Sequence, residues 1–92
     1  MNESVRIDVW LWRARFLKTR SMAAAFVETG AVRLTHQGRQ VRLDKPSRVV
    51  HVGDELVFAI GGRLNDLRVE ALGVRRGPPA EARALYSPLT PE

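Results

Sequence analysis

Ninety-two residues, 45% of them hydrophobic and 27% charged, are enough for one domain and too few for two. A chain this short buries only about 60 to 65% of its unfolded surface, which leaves little room for a deep substrate cavity. Fifteen basic against 10 acidic residues give a net charge of +5 at pH 7, which suits a polyanionic partner and excludes nothing else. Thirteen of the basic residues are Arg, the side chain that grips phosphate through paired hydrogen bonds, although a GC-rich genome enriches Arg regardless of function. The absence of Cys rules out disulfides, thiolate metal sites and cysteine nucleophiles. With no signal-like start and no apolar run near ~18 residues, the chain reads as cytoplasmic and without a membrane span.

Asp8 is the expected N-cap of a first helix that continues to about Arg15, because its carboxylate can accept the free amides of the first turn. Ile7, Trp10, Leu11 and Ala14 share one face, whereas Val9, Trp12 and Phe16 fall on another, so this helix needs neighbours on two sides. Trp10 reads as core. Trp12 is either covered by a returning C-terminal segment, through Leu85 and Tyr86, or left exposed to stack on an unpaired base. Thr19 caps a second helix over about Arg20 to Thr29, closed at Gly30, and its alanines allow close approach to the first in a helical hairpin.

Past Gly30 the apolar period changes to two. Val32 and Leu34 alternate with Arg33 and Thr35, a turn spans His36, Gln37 and Gly38, and Val41 and Leu43 resume beyond it, which predicts a β-hairpin. Lys45-Pro46-Ser47 ends the hairpin, Val49 and Val50 form a short strand, and Gly53-Asp54 turns the chain into Glu55 to Ile60. After a turn at Gly61-Gly62, Leu64, Leu67, Val69 and Leu72 supply a last strand, with a bulge or longer turn expected at Asn65-Asp66. Pro78-Pro79 starts a short helix over Ala80 to Tyr86. The fold class is α+β: two helices packed on a small antiparallel sheet, with a short C-terminal helix.

The inventory for catalysis is thin. His36 and His51 are the only histidines, and a turn and a strand separate them, so they form no recognisable metal set. No phosphate loop and no Ser-His-Asp arrangement stands out, and neither an enzyme nor a cofactor is expected. The basic residues form a pattern instead. Arg6, Arg13, Arg15, Lys18 and Arg20 face the single acid Asp8 between residues 6 and 20, and Arg33, Arg39, Arg42, Lys45 and Arg48 follow in the hairpin. Arg15, Lys18 and Arg20 straddle the helix junction, where phosphate would meet side chains and the N-terminus of the second helix together. The same charges also fit a solvated basic face around an ordinary core.

Arg6-Ile7-Asp8, Leu11, Lys18-Thr19-Arg20-Ser21, Ala23, Val27, Gly30, Val32, Gly38, Lys45-Pro46-Ser47 and Val52-Gly53-Asp54 together resemble the S4 RNA-binding domain. The match covers about Arg6 to Ile60, the core of one domain over 1–92 in which residues 61–92 add a strand and a helical tail. Trp10-Leu11-Trp12, Ala14-Arg15-Phe16, Arg75-Arg76-Gly77-Pro78, Glu81-Ala82 and Leu85-Tyr86 are similar to the ribosome-associated fifteen-kilodalton heat-shock protein family. The resemblance implies binding of ribosomal RNA without catalysis, and, in the heat-shock branch, binding of free large ribosomal subunits that still carry a nascent chain on tRNA. It carries Arg6, Lys18, Thr19, Arg20, Lys45 and Ser47 onto positions that approach the RNA backbone, to which the charge pattern adds Arg13, Arg15 and Arg39. Two departures stand out. Val9 replaces a usual Lys, and Thr35-His36-Gln37-Gly38 stands as a longer turn where Asn-Gly is usual.

The reading that follows is a cytoplasmic RNA-binding protein that recognises folded ribosomal RNA by shape and phosphate, with the large subunit and tRNA as implied partners. Two alternatives stay open at this point: an accessory RNA-binding subunit of an RNA-modifying enzyme, and a protein-interaction module whose basic face is incidental.

Overall fold

A computed structural model describes residues 3–89. In chain order the elements are β1 (Val5–Arg6), α1 (Ile7–Arg13), α2 (Arg20–Glu28), β2 (Val32–His36), β3 (Arg39–Leu43), β4 (Val49–Val50), β5 (Glu55–Ile60), β6 (Arg63–Val69), α3 (Pro79–Arg83) and β7 (Tyr86–Pro88). The sheet order is β3-β2-β5-β6-β7, every pairing is antiparallel, and β1 and β4 make a separate two-stranded ribbon. The expected α+β class is the observed one.

Strand alternation sets which face is buried. Val32 and Leu34 of β2, Leu56 and Phe58 of β5, and Leu67 and Val69 of β6 all point into the core, where they meet Ile7, Trp10, Leu11, Ala23 and Val27 of the two helices. Trp10 is fully buried, and its indole N–H donates to the Ala71 carbonyl at 2.9 Å, so the largest core side chain leaves no unpaired polar atom.

Several local expectations are corrected. Asp8 is not the N-cap; Arg6 is. The first amides of α1 are capped from a distant part of the chain, Ile7 N–H donating to the Arg48 carbonyl (2.7 Å) and Asp8 N–H towards that of Pro46 (3.4 Å). Asp8 sits inside the first turn, where its buried carboxylate accepts from Arg6 and from Val9 N–H. The helix also stops at Arg13, short of Arg15. Arg15 N–H donates to Trp12 and Phe16 N–H to Leu11, while Arg15 itself has φ of 66°. This is a Schellman ending with an arginine in the left-handed position that glycine usually fills, and Phe16 folds back towards Trp10, with ring centroids 6.2 Å apart.

The turn at the tip of the first hairpin is not long. His36 pairs with Arg39, so only Gln37 and Gly38 form the loop, both with positive φ, the tight hairpin geometry that Asn-Gly adopts. At the second hairpin, pairing from Ile60–Arg63 to Glu55–Arg68 is continuous, so the bulge expected at Asn65-Asp66 is absent. Leu64 lies on the outer face, 67% exposed, and β6 ends at Val69 without reaching Leu72.

The C-terminal helix closes after Arg83, and Tyr86 belongs to a seventh strand that pairs with β6, Val69 opposite Tyr86. The tail does return to the helices, with Leu85 buried. Its aromatic contacts, however, are with Phe16 (4.9 Å) and Trp10 (6.3 Å), and Trp12 is half-buried against the core without joining them. The returning tail therefore covers Phe16 and Trp10, and not Trp12 as expected. Among the described residues no helix is long and apolar enough to cross a membrane.

Candidate nucleic-acid interface

Capping of α1 by the 45–48 turn has a consequence for charge. It draws Lys45, Ser47 and Arg48 up to the start of the helix, beside Arg6, which pairs with Val49 across the β1–β4 ribbon. Arg6, Lys45 and Ser47, far apart in sequence, are thus brought together. Lys45 and Ser47 are exposed. Arg6 is half-exposed but already holds Asp8, Nη2 to Oδ2 at 2.9 Å and Nε to Oδ1 at 3.1 Å, so its charge is largely matched before any RNA arrives.

The other expected set surrounds the turn from α1 to α2. Lys18, Thr19 and Arg20 are exposed, and the Thr19 hydroxyl accepts from Met22 N–H at 3.0 Å, fixing the start of α2. Arg13 and Arg15 belong to the same stretch but face a different partner. Arg13 Nη1 donates to the carbonyls of Gly73 (2.8 Å) and Leu72 (3.4 Å), and Arg15 Nε donates to that of Gly77 (2.6 Å). Both guanidinium groups tie the segment after β6 to the end of α1. Arg15 is nonetheless exposed, so its remaining N–H groups can reach solvent or phosphate.

Arg39 stands apart from both sets, at the tip of the β2–β3 hairpin. It lines a shallow groove of about 250 Å³ together with Arg48, His36, His51 and Asp54. Arg48 therefore connects the groove to the Lys45–Ser47 turn. On the opposite face of the hairpin Arg33 and Arg42 are register partners, both exposed, an arrangement of like charges that costs stability unless an anion lies over it.

The structure also overturns the separation of the two histidines. Thr35 pairs with Glu55, so the next positions, His36 and Asp54, face each other, and the imidazole rings of His36 and His51 lie 4.8 Å apart. Sequence reasoning missed this cluster because it depends on the β2–β5 register, which no local spacing announces; the Gly53-Asp54 turn was the one visible clue. Arg75 and Arg76 were noted only as part of a resemblance. Arg75 donates to Glu81 through Nε and Nη2, and chiefly through these hydrogen bonds the Glu81 carboxyl lies below its ordinary value and the Arg75 guanidinium above its own.

Comparison with known proteins follows the same lines. A family model described as the S4 domain matches residues 5–37, from β1 to the hairpin turn. A solved structure of Vibrio cholerae heat shock protein 15, described as trimeric, is 37% identical, covers 94% of this chain and 82% of its own, and superposes with a TM-score of 0.78. The chain belongs to the heat shock protein 15 family. A heat shock protein 15 homolog from Haemophilus influenzae is 39% identical over 84 residues, 91% of this chain and 60% of that protein. Heat shock protein 15 of Escherichia coli is 38% identical over 82 residues, 89% of this chain and 58% of that protein. The chain thus spans about three fifths of the length of these curated relatives, and what it shares with the heat shock protein 15 family is the folded S4-containing region.

Proposed function

We propose that this protein binds structured RNA without catalysing a reaction, and that its target is ribosomal RNA on the large ribosomal subunit. The observation that carries the reading is the helix junction: Lys18, Thr19 and Arg20 are exposed together at the amino end of α2, in a region that matches the S4 domain. A second basic group at Arg6, Lys45, Ser47 and Arg48 lies at the other end of α1, about 10 Å of helix away. Two groups so spaced suit non-adjacent phosphates of a folded RNA, with backbone contacts setting register and RNA shape giving selectivity.

A role in rescue or recycling of stalled large subunits, with tRNA nearby and in the cytoplasm, is the finer form of this reading and rests on membership of the family. The test has two parts. Copurification with large subunits that disappears after RNase treatment supports RNA as the partner. In purified form, the logarithm of the binding constant for a large-subunit RNA fragment should fall linearly with the logarithm of salt concentration; a binding constant nearly unchanged between low and physiological salt sinks the proposal.

A further inference from the structure

The end of the β2–β3 hairpin and the turn before β5 bring three ligand-bearing side chains to one point. One ligand atom each from His36, His51 and Asp54 lies within 4.8 Å of the others. The Asp54 carboxylate is buried, at 3% exposure. Its Oδ1 accepts from His36 Nδ1 at 2.5 Å and its Oδ2 from His51 backbone N–H at 2.9 Å. The His51 ring nitrogen Nδ1 points at the same carboxylate but stops 3.6 Å away, beyond hydrogen-bonding range. That nitrogen is buried and has no hydrogen-bond partner among the described residues. A buried polar atom left unpaired is costly and calls for an explanation.

We propose that His36, His51 and Asp54 form a binding site for a divalent first-row transition metal ion of the zinc type, with two imidazole nitrogens and one carboxylate oxygen as protein ligands. The donor set selects the class. Imidazole suits zinc, nickel, copper and iron, whereas calcium and magnesium need more oxygen ligands than one carboxylate supplies. Spacing agrees. Bonds of about 2.0 to 2.2 Å in a tetrahedron put neighbouring ligand atoms roughly 3.3 to 3.6 Å apart. His36 Nδ1 lies 2.5 Å from Asp54 Oδ1 and His51 Nδ1 lies 3.6 Å from Oδ2, while the three ligand atoms spread over as much as 4.8 Å, so side-chain shifts of roughly 1 Å or a little more bring them into that range. The ion takes the place of the hydrogen between His36 Nδ1 and Asp54 Oδ1, and the neutral imidazole carries its single proton on Nε2 instead.

Three protein ligands leave the fourth position on the side of the groove lined by Arg39 and Arg48. These charges disfavour a bare hydrated cation and favour an anionic fourth ligand, which sets the site apart from a simple acidic surface cluster. Because His36 closes β2 while His51 and Asp54 flank the turn into β5, an ion here fastens the hairpin tip to the body of the sheet. The three ligands are not among the proposed RNA contacts, although Arg39 and Arg48 border both surfaces, so metal binding is measured in the absence of RNA.

The test uses tag-free full-length protein, dialysed against a chelator and then titrated at neutral pH. Cobalt(II) should give the visible absorption of a tetrahedral site at one equivalent, zinc should displace it, and neither calcium nor magnesium should. Zinc at about 100-fold excess over its Kd should raise Tm by several degrees. Asp54→Asn disturbs a buried group and can unfold the turn, so His51→Ala is the deciding variant: its unpartnered nitrogen makes it tolerable, and it should weaken zinc binding at least tenfold while leaving the metal-free Tm within a few degrees. No cobalt spectrum and no zinc-dependent Tm in the unaltered protein, or equal zinc binding by His51→Ala, overturns the assignment.

Discussion

At the carboxyl end of α1, Arg13 and Arg15 turn their guanidinium groups onto the backbone carbonyls of Leu72, Gly73 and Gly77. Lys18 and Arg20, immediately beyond, have no ion-pair or hydrogen-bond partner for their side chains among the described residues and lie open to solvent. All four contribute equally to net charge. What separates them is whether some sixty residues later the chain leaves a carbonyl without a partner, because a guanidinium group is a fork of donors as well as a charge and a lone carbonyl captures it. A basic cluster is thus sorted into structural and binding members by backbone satisfaction, which composition cannot show.

Removal of residues 79–92 should have the largest effect. It takes away α3 and β7, uncovers Trp10 and Phe16, and frees the 72–77 segment that Arg13 and Arg15 hold. Losing the burial of Leu85 and Tyr86 alone should cost about 3 to 5 kcal/mol, a fall in Tm of more than about 10 °C, with a red shift of tryptophan fluorescence in the absence of RNA. Unchanged fluorescence would mean the tail does not cover Trp10.

Next in size, Arg13→Ala leaves the Leu72 and Gly73 carbonyls without their donor. A cost of about 1 to 3 kcal/mol is expected, read by chemical denaturation, with RNA affinity of the folded variant within about twofold of the parent. Arg13→Lys should recover only part of the loss, since ammonium lacks the planar fork. A stable Arg13→Ala that binds RNA poorly would move Arg13 to the binding side.

The double change Lys18→Ala with Arg20→Ala should show the opposite signature. Exposed charges without partners contribute little to folding, under about 0.5 kcal/mol. Their loss should weaken RNA binding by about tenfold and reduce the salt slope by about one for each phosphate contact removed. An unaltered slope would place the RNA elsewhere, at Lys45 and Arg48 first.

Features fixed within a few residues were legible in the sequence. Thr19 caps α2 as read, Gly30 closes it, and the alternation of Val32, Leu34 and Leu43 gives the right buried face, because each depends only on neighbours. Features completed by distant backbone were not. Asp8 looks like a cap, yet the helix begins two residues earlier than that reading requires, with the amides of Ile7 and Asp8 donating to the carbonyls of Arg48 and Pro46, and the acid is used to hold Arg6 and the Val9 N–H. Strand β7 is three residues long and ends in Pro88, which defeats any periodic signal, and only the exposed edge of β6 makes it a strand. The candidate interface divides in the same way: Lys18, Thr19 and Arg20 were visible locally, whereas the approach of Lys45 and Ser47 to Arg6, and of His36 to Asp54, required the folded register.

Arg15 belongs to both sides of the comparison, and its substitution should have a small net effect on stability because opposing contributions meet there. It occupies a left-handed conformation that costs a side-chain-bearing residue roughly 1 kcal/mol or more, so Arg15→Gly relieves strain. The same change removes the hydrogen bond to the Gly77 carbonyl, worth roughly 1.5 to 3 kcal/mol as a charged donor when buried but less at an exposed position, and gives the unfolded chain more freedom, about 0.4 to 1 kcal/mol in the opposite direction. These contributions nearly cancel, and a destabilisation within about 1 kcal/mol is expected. RNA affinity should still fall several-fold, since an exposed guanidinium group beside Lys18 is lost. Strain retained at a residue whose removal barely alters folding is a mark of function, and equal stability with weaker RNA binding would place Arg15 with Lys18 and Arg20. A loss of 2 kcal/mol or more with RNA affinity intact would place it with Arg13, as a strut between α1 and the chain that follows β6.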